Sequence, residues 1–117
     1  MFLRYQDKRG RGPFAPGLTA VWADGSGESP PTIFEDFPNC LEVVQRAQEM
    51  GLHCGCACRG ADGLRGYFTD SERAKLGNLG FHVYRIPNNS VLLESESQVL
   101  FAVKKPLRFL PKFKGDV

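Results

Sequence analysis

The stretch Ser90 to Lys105, SVLLESESQVLFAVKK, decides how the chain is read. Two apolar runs, Val91-Leu92-Leu93 and Val99-Leu100-Phe101-Ala102-Val103, flank a polar knot, Glu94-Ser95-Glu96-Ser97-Gln98. Short runs rich in β-branched and aromatic residues, bounded by turn residues, read as strands. The knot therefore places carboxylates and an amide at the entry of a core strand, where an α+β domain holds polar groups at the edge of a cleft.

The neighbouring segments extend this pattern. Phe81 to Ile86 alternates as a strand does, and Pro87-Asn88-Asn89-Ser90 is a turn. Thr69-Asp70-Ser71-Glu72 matches a capping box, which predicts a helix from there to Leu79, stopped by Gly80. Leu52 to Gly66 is rich in cysteine and glycine and has no decisive period. Asn39 to Met50 reads as a helix. Its stripe is Leu41, Val44, Ala47 and Gln48, widened by Val43 and Met50, with Asn39 as N-cap and Gly51 as the C′ residue.

Ala23 to Pro38 is a long Gly- and Pro-rich loop, functional or mobile, of which Ile33, Phe34 and Phe37 pack part down. Leu18 to Trp22 reads as a short strand, Lys8 to Gly17 as a turn and Phe2 to Asp7 as the first strand. Strands at both ends and helices in the middle predict an α+β fold. The expectation is a single domain, residues 1–117, with a mixed or antiparallel sheet and two main helices packed on one side.

The bulk composition agrees. At 117 residues the chain suits one domain. Hydrophobic content of 42% and charged content of 24% are near the globular average, so most of the chain is expected to fold. A net charge of +2 argues neither for nor against nucleic acid. No apolar run approaches the roughly 18 residues of a membrane span. MFLRYQDKRGRG lacks the apolar core of a signal peptide. The expected location is the cytoplasm, where cysteines are thiols or metal ligands.

Three clusters carry potential chemistry. Cys54, Cys56 and Cys58 point one way on an extended segment, with His53 adjacent and Cys40 upstream. Reduced, partly buried thiols are the favoured reading; the alternative is zinc held by Cys40, Cys54, Cys56 and Cys58. Arg4, Lys8, Arg9 and Arg11 bring four cations to one strand and turn, either a solvated turn or an anion site. The tail, Lys104 to Val117, interleaves Lys104, Lys105, Arg108, Lys112 and Lys114 with Leu107, Phe109, Leu110 and Phe113. It reads as a last edge strand, with nucleic-acid binding as the alternative.

The arginine of FLRYQD and the late strand Glu96-Ser97-Gln98-Val99-Leu100-Phe101 resemble the ADP-ribosyltransferase fold. RYQDKRGRGPF and GFHVYRIP with QVLF also look like small phage-encoded proteins of unassigned function. The resemblance implies that Arg4, with Arg9 or Arg11 near the rim, binds the phosphates of NAD or ADP-ribose. It makes Glu96 and Gln98 the catalytic candidates and sets the first strand beside the Gln98 strand. Gln98 stands where that family has its catalytic glutamate, and an amide cannot supply the charge that stabilises an oxocarbenium-like centre. The resemblance therefore implies a degenerate domain that binds the nucleotide. The alternative is a non-enzymatic inhibitor that binds a host protein complex in the host cytoplasm through Lys8, Lys104, Lys105, Arg108, Lys112 and Lys114.

Overall fold

Five strands make one antiparallel sheet in the computed structural model, which describes residues 1–14, 17–24 and 32–117. They are β1 (Phe2–Gln6), β2 (His53–Arg59), β3 (His82–Ile86), β4 (Val91–Glu94) and β5 (Val99–Val103), in the spatial order β3-β1-β2-β5-β4. Five helices are described: α1 (Thr19–Trp22), α2 (Ile33–Asp36), α3 (Cys40–Glu49), α4 (Gly60–Tyr67) and α5 (Asp70–Asn78). The fold is α+β, as the sequence predicts. No described helix is long and apolar enough to cross a membrane.

The strand alternation sorts side chains to two faces. Leu3 and Tyr5 of β1, Cys58 of β2 and Phe81 pack with Trp22, Leu64, Phe68 and Leu76 from the helices. Leu100 of β5 lies on the same face and packs with Phe37 and Cys40. Phe2, Ala57, Ile86, Val99 and Phe101 turn the other way and are covered by Leu107 and Leu110 of the tail. Helices thus cover one face and the tail covers the other. β5 is buried along Val99 to Ala102, the core strand that the sequence predicts.

Several local expectations are corrected. Thr19 to Trp22 is a helical turn, not a strand. The β-branched Thr19 and Val21 favour extension, but Trp22 decides the geometry by burying its ring and donating Nε1–H to the Pro13 carbonyl at 2.8 Å. Ile33 to Asp36 is helical inside what reads as a loop. Its signal is Thr32-x-x-Glu35, a capping box like that of Thr69, with both reciprocal bonds made. The remainder of that loop, residues 25–31, lies outside the described residues. The unassigned Leu52 to Gly66 becomes β2 and α4.

The helix at Asn39 forms, but Asn39 makes no side-chain cap bond. Its buried face is Cys40 and Ala47, flanked by Val43 and Val44, while Leu41 is 61% and Met50 75% exposed. Gly51 follows its end at φ +80°, the left-handed C′ position expected of it. Thr69 caps α5 as predicted: its Oγ1 accepts from Glu72 N–H at 3.1 Å, and Glu72 Oε1 accepts from Thr69 N–H at 3.0 Å. The tail contributes only a single bridge, Lys112 to Tyr84. It is pinned along the β3 edge by Arg85 N–H to the Pro111 carbonyl and Phe113 N–H to the Val83 carbonyl, both 2.8 Å. The strand adjacency implied by the resemblance is not realised, because β2 lies between β1 and β5.

Candidate functional site

The sheet parts at one place. β1 pairs with β2 only at Phe2–Arg59 and Leu3–Cys58; beyond that β1 continues on β3 and β2 continues on β5. Arg4 fills the gap. Its Nε–H donates to Gln6 Oε1 at 2.9 Å, one Nη1–H to the Cys56 carbonyl at 3.0 Å and one Nη2–H to the Gly10 carbonyl at 3.1 Å. The Cys56 carbonyl thus receives a guanidinium proton where a ladder bond would otherwise be. Gln6, fully buried, is itself anchored by Nε2–H to the Leu107 carbonyl at 2.8 Å.

Glycines make room for this arrangement. A Cβ on Gly12 would lie 3.2 Å from Arg4 Nη2, and one on Gly55 would lie 3.1 Å from Arg4 Nη1 and 2.9 Å from the Phe101 ring. Gly10 has φ +88° with its Cβ position closed by Leu107 and Arg108, so a side chain is strained there twice over. The glycines of RGRG therefore leave room for the packing around Arg4, and no helix starts at them.

A cavity of about 600 Å³ opens at this gap, lined from both faces of the sheet. Its polar groups include Arg4, Arg11, Tyr67 and Gln98; its thiols are Cys54, Cys56 and Cys58; its aromatic walls include Tyr5, Phe14, Phe34 and Phe68. Among the described lining residues there is no carboxylate and no histidine. Arg4 takes part in none of the four ion pairs among the described residues, which join Asp7 to Arg11, Glu94 to Arg59, Asp62 to Arg65 and Asp70 to Arg73. Burial lowers its pKa, and the neighbouring Cys56 and Asp7 act against that fall. A guanidinium stays charged through any such shift. With three of its five N–H groups used on neutral acceptors, one remains on each terminal nitrogen.

Gln98 lines the same cavity as Arg4, but it has another duty. It is 3% exposed, and its Nε2–H donates to Asp36 Oδ2 at 2.8 Å. Ser97 Oγ donates to the same oxygen at 2.8 Å and Ser95 Oγ at 2.9 Å. The polar knot is thus a socket for the last residue of α2. Burial alone would raise the Asp36 pKa; the three hydrogen bonds outweigh it and hold the carboxyl below its usual value. Arg59 braces the outside of the knot, bonding the Ser95 carbonyl, the Glu96 carbonyl at 3.1 Å and the Glu94 carboxylate at 3.1 Å. Glu96 itself is exposed and lines no part of the cavity.

The thiols are placed for contact rather than reactivity. Burial pushes Cys56 to about 11, against the lowering effect of Arg4, and Cys58 to about 12; Cys54 also rises. Neutral thiols are poor nucleophiles at pH 7. Cys40 packs on α3 against Leu100. Among the described residues no group of three or more His, Cys, Asp or Glu could hold a metal ion.

The other candidate cations lie outside. Arg9 and Lys8 are exposed on the turn that Asp7 closes through Arg9 N–H and Arg11 N–H. Arg11 reaches the cavity rim while paired with Asp7 at 2.8 Å. Lys104 and Lys105 border a separate groove of about 450 Å³ with Pro106, Phe109 and Pro111. Arg108 covers the Phe109 ring at 4.8 Å, and Lys112 and Lys114 are exposed beside it. Compared with known protein families, curated proteins and solved structures, the chain gives no match.

Proposed function

We propose that this chain is a nucleotide-binding domain of a phage or mobile element that holds NAD or an ADP-ribose-like nucleotide without turning it over. One observation carries the reading: Arg4, which takes part in none of the four ion pairs among the described residues and keeps one N–H on each terminal nitrogen, brings a cation to an aromatic-walled cavity. Such a group attracts an anion, and its remaining N–H groups suit phosphate oxygens. Arg11 reaches the rim as the partner of Asp7. A cavity of about 600 Å³ is of the size that ordinary small-molecule ligands occupy.

The lack of a turnover step rests on the same lining. No carboxylate or histidine among the described residues borders the cavity, and its thiols are held protonated. Gln98 is engaged with Asp36, which makes it a poor replacement for a catalytic glutamate. Isothermal titration with ADP-ribose and NAD tests the reading. Binding is expected below millimolar concentration, and Arg4→Ala weakens it at least tenfold, the loss of a charge-assisted contact of about 1.5–3 kcal/mol. Arg4→Lys retains the charge and lacks the fork, so it loses most of the same affinity. Absence of binding at millimolar ligand refutes the proposal.

The tail supports a second reading, that of a non-enzymatic inhibitor of a host protein complex. Lys104, Lys105, Arg108, Lys112 and Lys114 are all exposed on the tail, whose residues 111–113 are bonded to the β3 edge. Charge reversal at Lys104 and Lys105, or at Lys8, abolishes partner capture on this reading and leaves ADP-ribose titration unchanged.

A further inference from the structure

Two phenylalanines at the cavity are unusually open. Phe14 is 53% exposed and Phe34 58%, and both line the cavity. Neither is loosely held. The Phe14 ring meets Trp22 at 5.3 Å and Tyr67 at 6.0 Å edge to face, and stacks on Phe68 at 6.2 Å. Trp22 is in turn fixed by its bond to the Pro13 carbonyl. Phe34 rides on α2, whose start is closed by the Thr32–Glu35 capping box. The other end of α2 is held by Asp36 in the socket of Ser95, Ser97 and Gln98. Two pinned elements thus each leave an aromatic ring open to water beside the same cavity. Exposed rings on pinned elements next to a half-buried cation suit a flat π-system carried on an anionic chain.

We infer that Phe14 and Phe34 form a planar-ring subsite for a heteroaromatic group such as a nucleobase. Asp36 is the positioning residue that keeps Phe34 there. The ring stacks at these phenylalanines and the anionic chain runs inward to Arg4. The inference deepens the nucleotide-binding reading and rests on it for the anionic end alone. It also gives Gln98 a different task from the one implied by the resemblance, since Gln98 acts on the site through Asp36 and α2.

Half-ligands separate the two ends. Adenosine carries the ring without phosphate, and ribose 5-phosphate carries the anion without the ring. Titrated into the full chain, adenosine binds, and Phe34→Ala weakens it about five- to a hundredfold, the range of one base–aromatic stack. Ribose 5-phosphate is unaffected by Phe34→Ala and is lost with Arg4→Lys. Phe34→Tyr keeps adenosine. Asp36→Ala weakens adenosine and spares ribose 5-phosphate, whereas Asp36→Asn, which keeps an acceptor oxygen for the serines, recovers part of the loss. If adenosine binds through Phe14 and Phe34 but ribose 5-phosphate does not bind, the Arg4 reading falls and the ring subsite stands. Adenosine that fails to bind by roughly 10 mM, or that binds Phe14→Ala and Phe34→Ala as tightly as wild type, overturns the subsite. A loss of both half-ligands in Asp36→Ala overturns the positioning role.

Discussion

Replacing Asp36 by alanine removes one acceptor oxygen shared by three donors, and its cost can be worked out donor by donor. The Gln98 amide is the expensive one, because it lies 3% exposed and loses a bond to a charged group. Such a bond contributes about 1.5–3 kcal/mol. The serines lose less, since Ser95 Oγ also lies 3.1 Å from the Gln98 carbonyl and Ser97 Oγ is 3.4 Å from Ser95 Oγ. A total near 2–3 kcal/mol follows. Phe37 still packs on Leu100 and Cys40, so the loss is expected as local opening of α2 rather than global unfolding.

Hydrogen exchange reads that opening directly. The Phe37 amide, bonded to the Ile33 carbonyl at 2.9 Å, and the Asp36-position amide, bonded to the Thr32 carbonyl at 3.1 Å, should exchange roughly 30- to 150-fold faster. Amides between β1 and β3 serve as the unchanged control. The pH dependence has a fixed sign. The folded pKa of Asp36 is depressed, so its contribution is fully present above the unfolded carboxylate value of about 3.9 and is lost as pH falls through the folded value. Wild type should therefore converge on the variant in strong acid. An exchange ratio near one at pH 7, or a ratio that persists undiminished well below the folded pKa, refutes the socket as the hold on α2.

Three further outcomes follow from the geometry. Thr69→Ala should cost about 1 kcal/mol in urea unfolding, because it removes the acceptor for Glu72 N–H at the start of α5; an unchanged midpoint would show the cap to be idle. Gly55→Ala should destabilise the chain and weaken ADP-ribose together, since its Cβ would meet the Phe101 ring at 2.9 Å and Arg4 Nη1 at 3.1 Å; full affinity in the variant would show that Arg4 is not held by this contact. Gln98→Glu places a second carboxylate where an amide meets Asp36 at 2.8 Å. It should destabilise the socket at pH 7, with thermal melting showing recovery toward pH 4 as one carboxyl takes a proton; NAD hydrolysis by this variant would restore the catalytic reading of position 98.

Local chemistry was enough for part of this protein. The period of two in FHVYRI, the short apolar runs on either side of the knot, the capping box at Thr69 and the glycines at positions 51 and 80 each act within a few residues, and strands and helices form where they indicate. The strand that carries Arg4 was also legible, and it forms as β1. The helical turn at Ile33 was legible in principle from Thr32-x-x-Glu35 but was masked by the glycines and prolines before it. What only the tertiary structure decided is pairing across the chain. Asp36 meets Ser95, Ser97 and Gln98 across about sixty positions. The Cys56 carbonyl accepts from Arg4, and Gly12 and Gly55 are glycine because a guanidinium passes beside them. No residue's identity states its distant partner, so the knot's carboxylates and its amide stand out in the sequence, while the tie to Asp36 that Gln98 makes with Ser95 and Ser97 is set only by the fold.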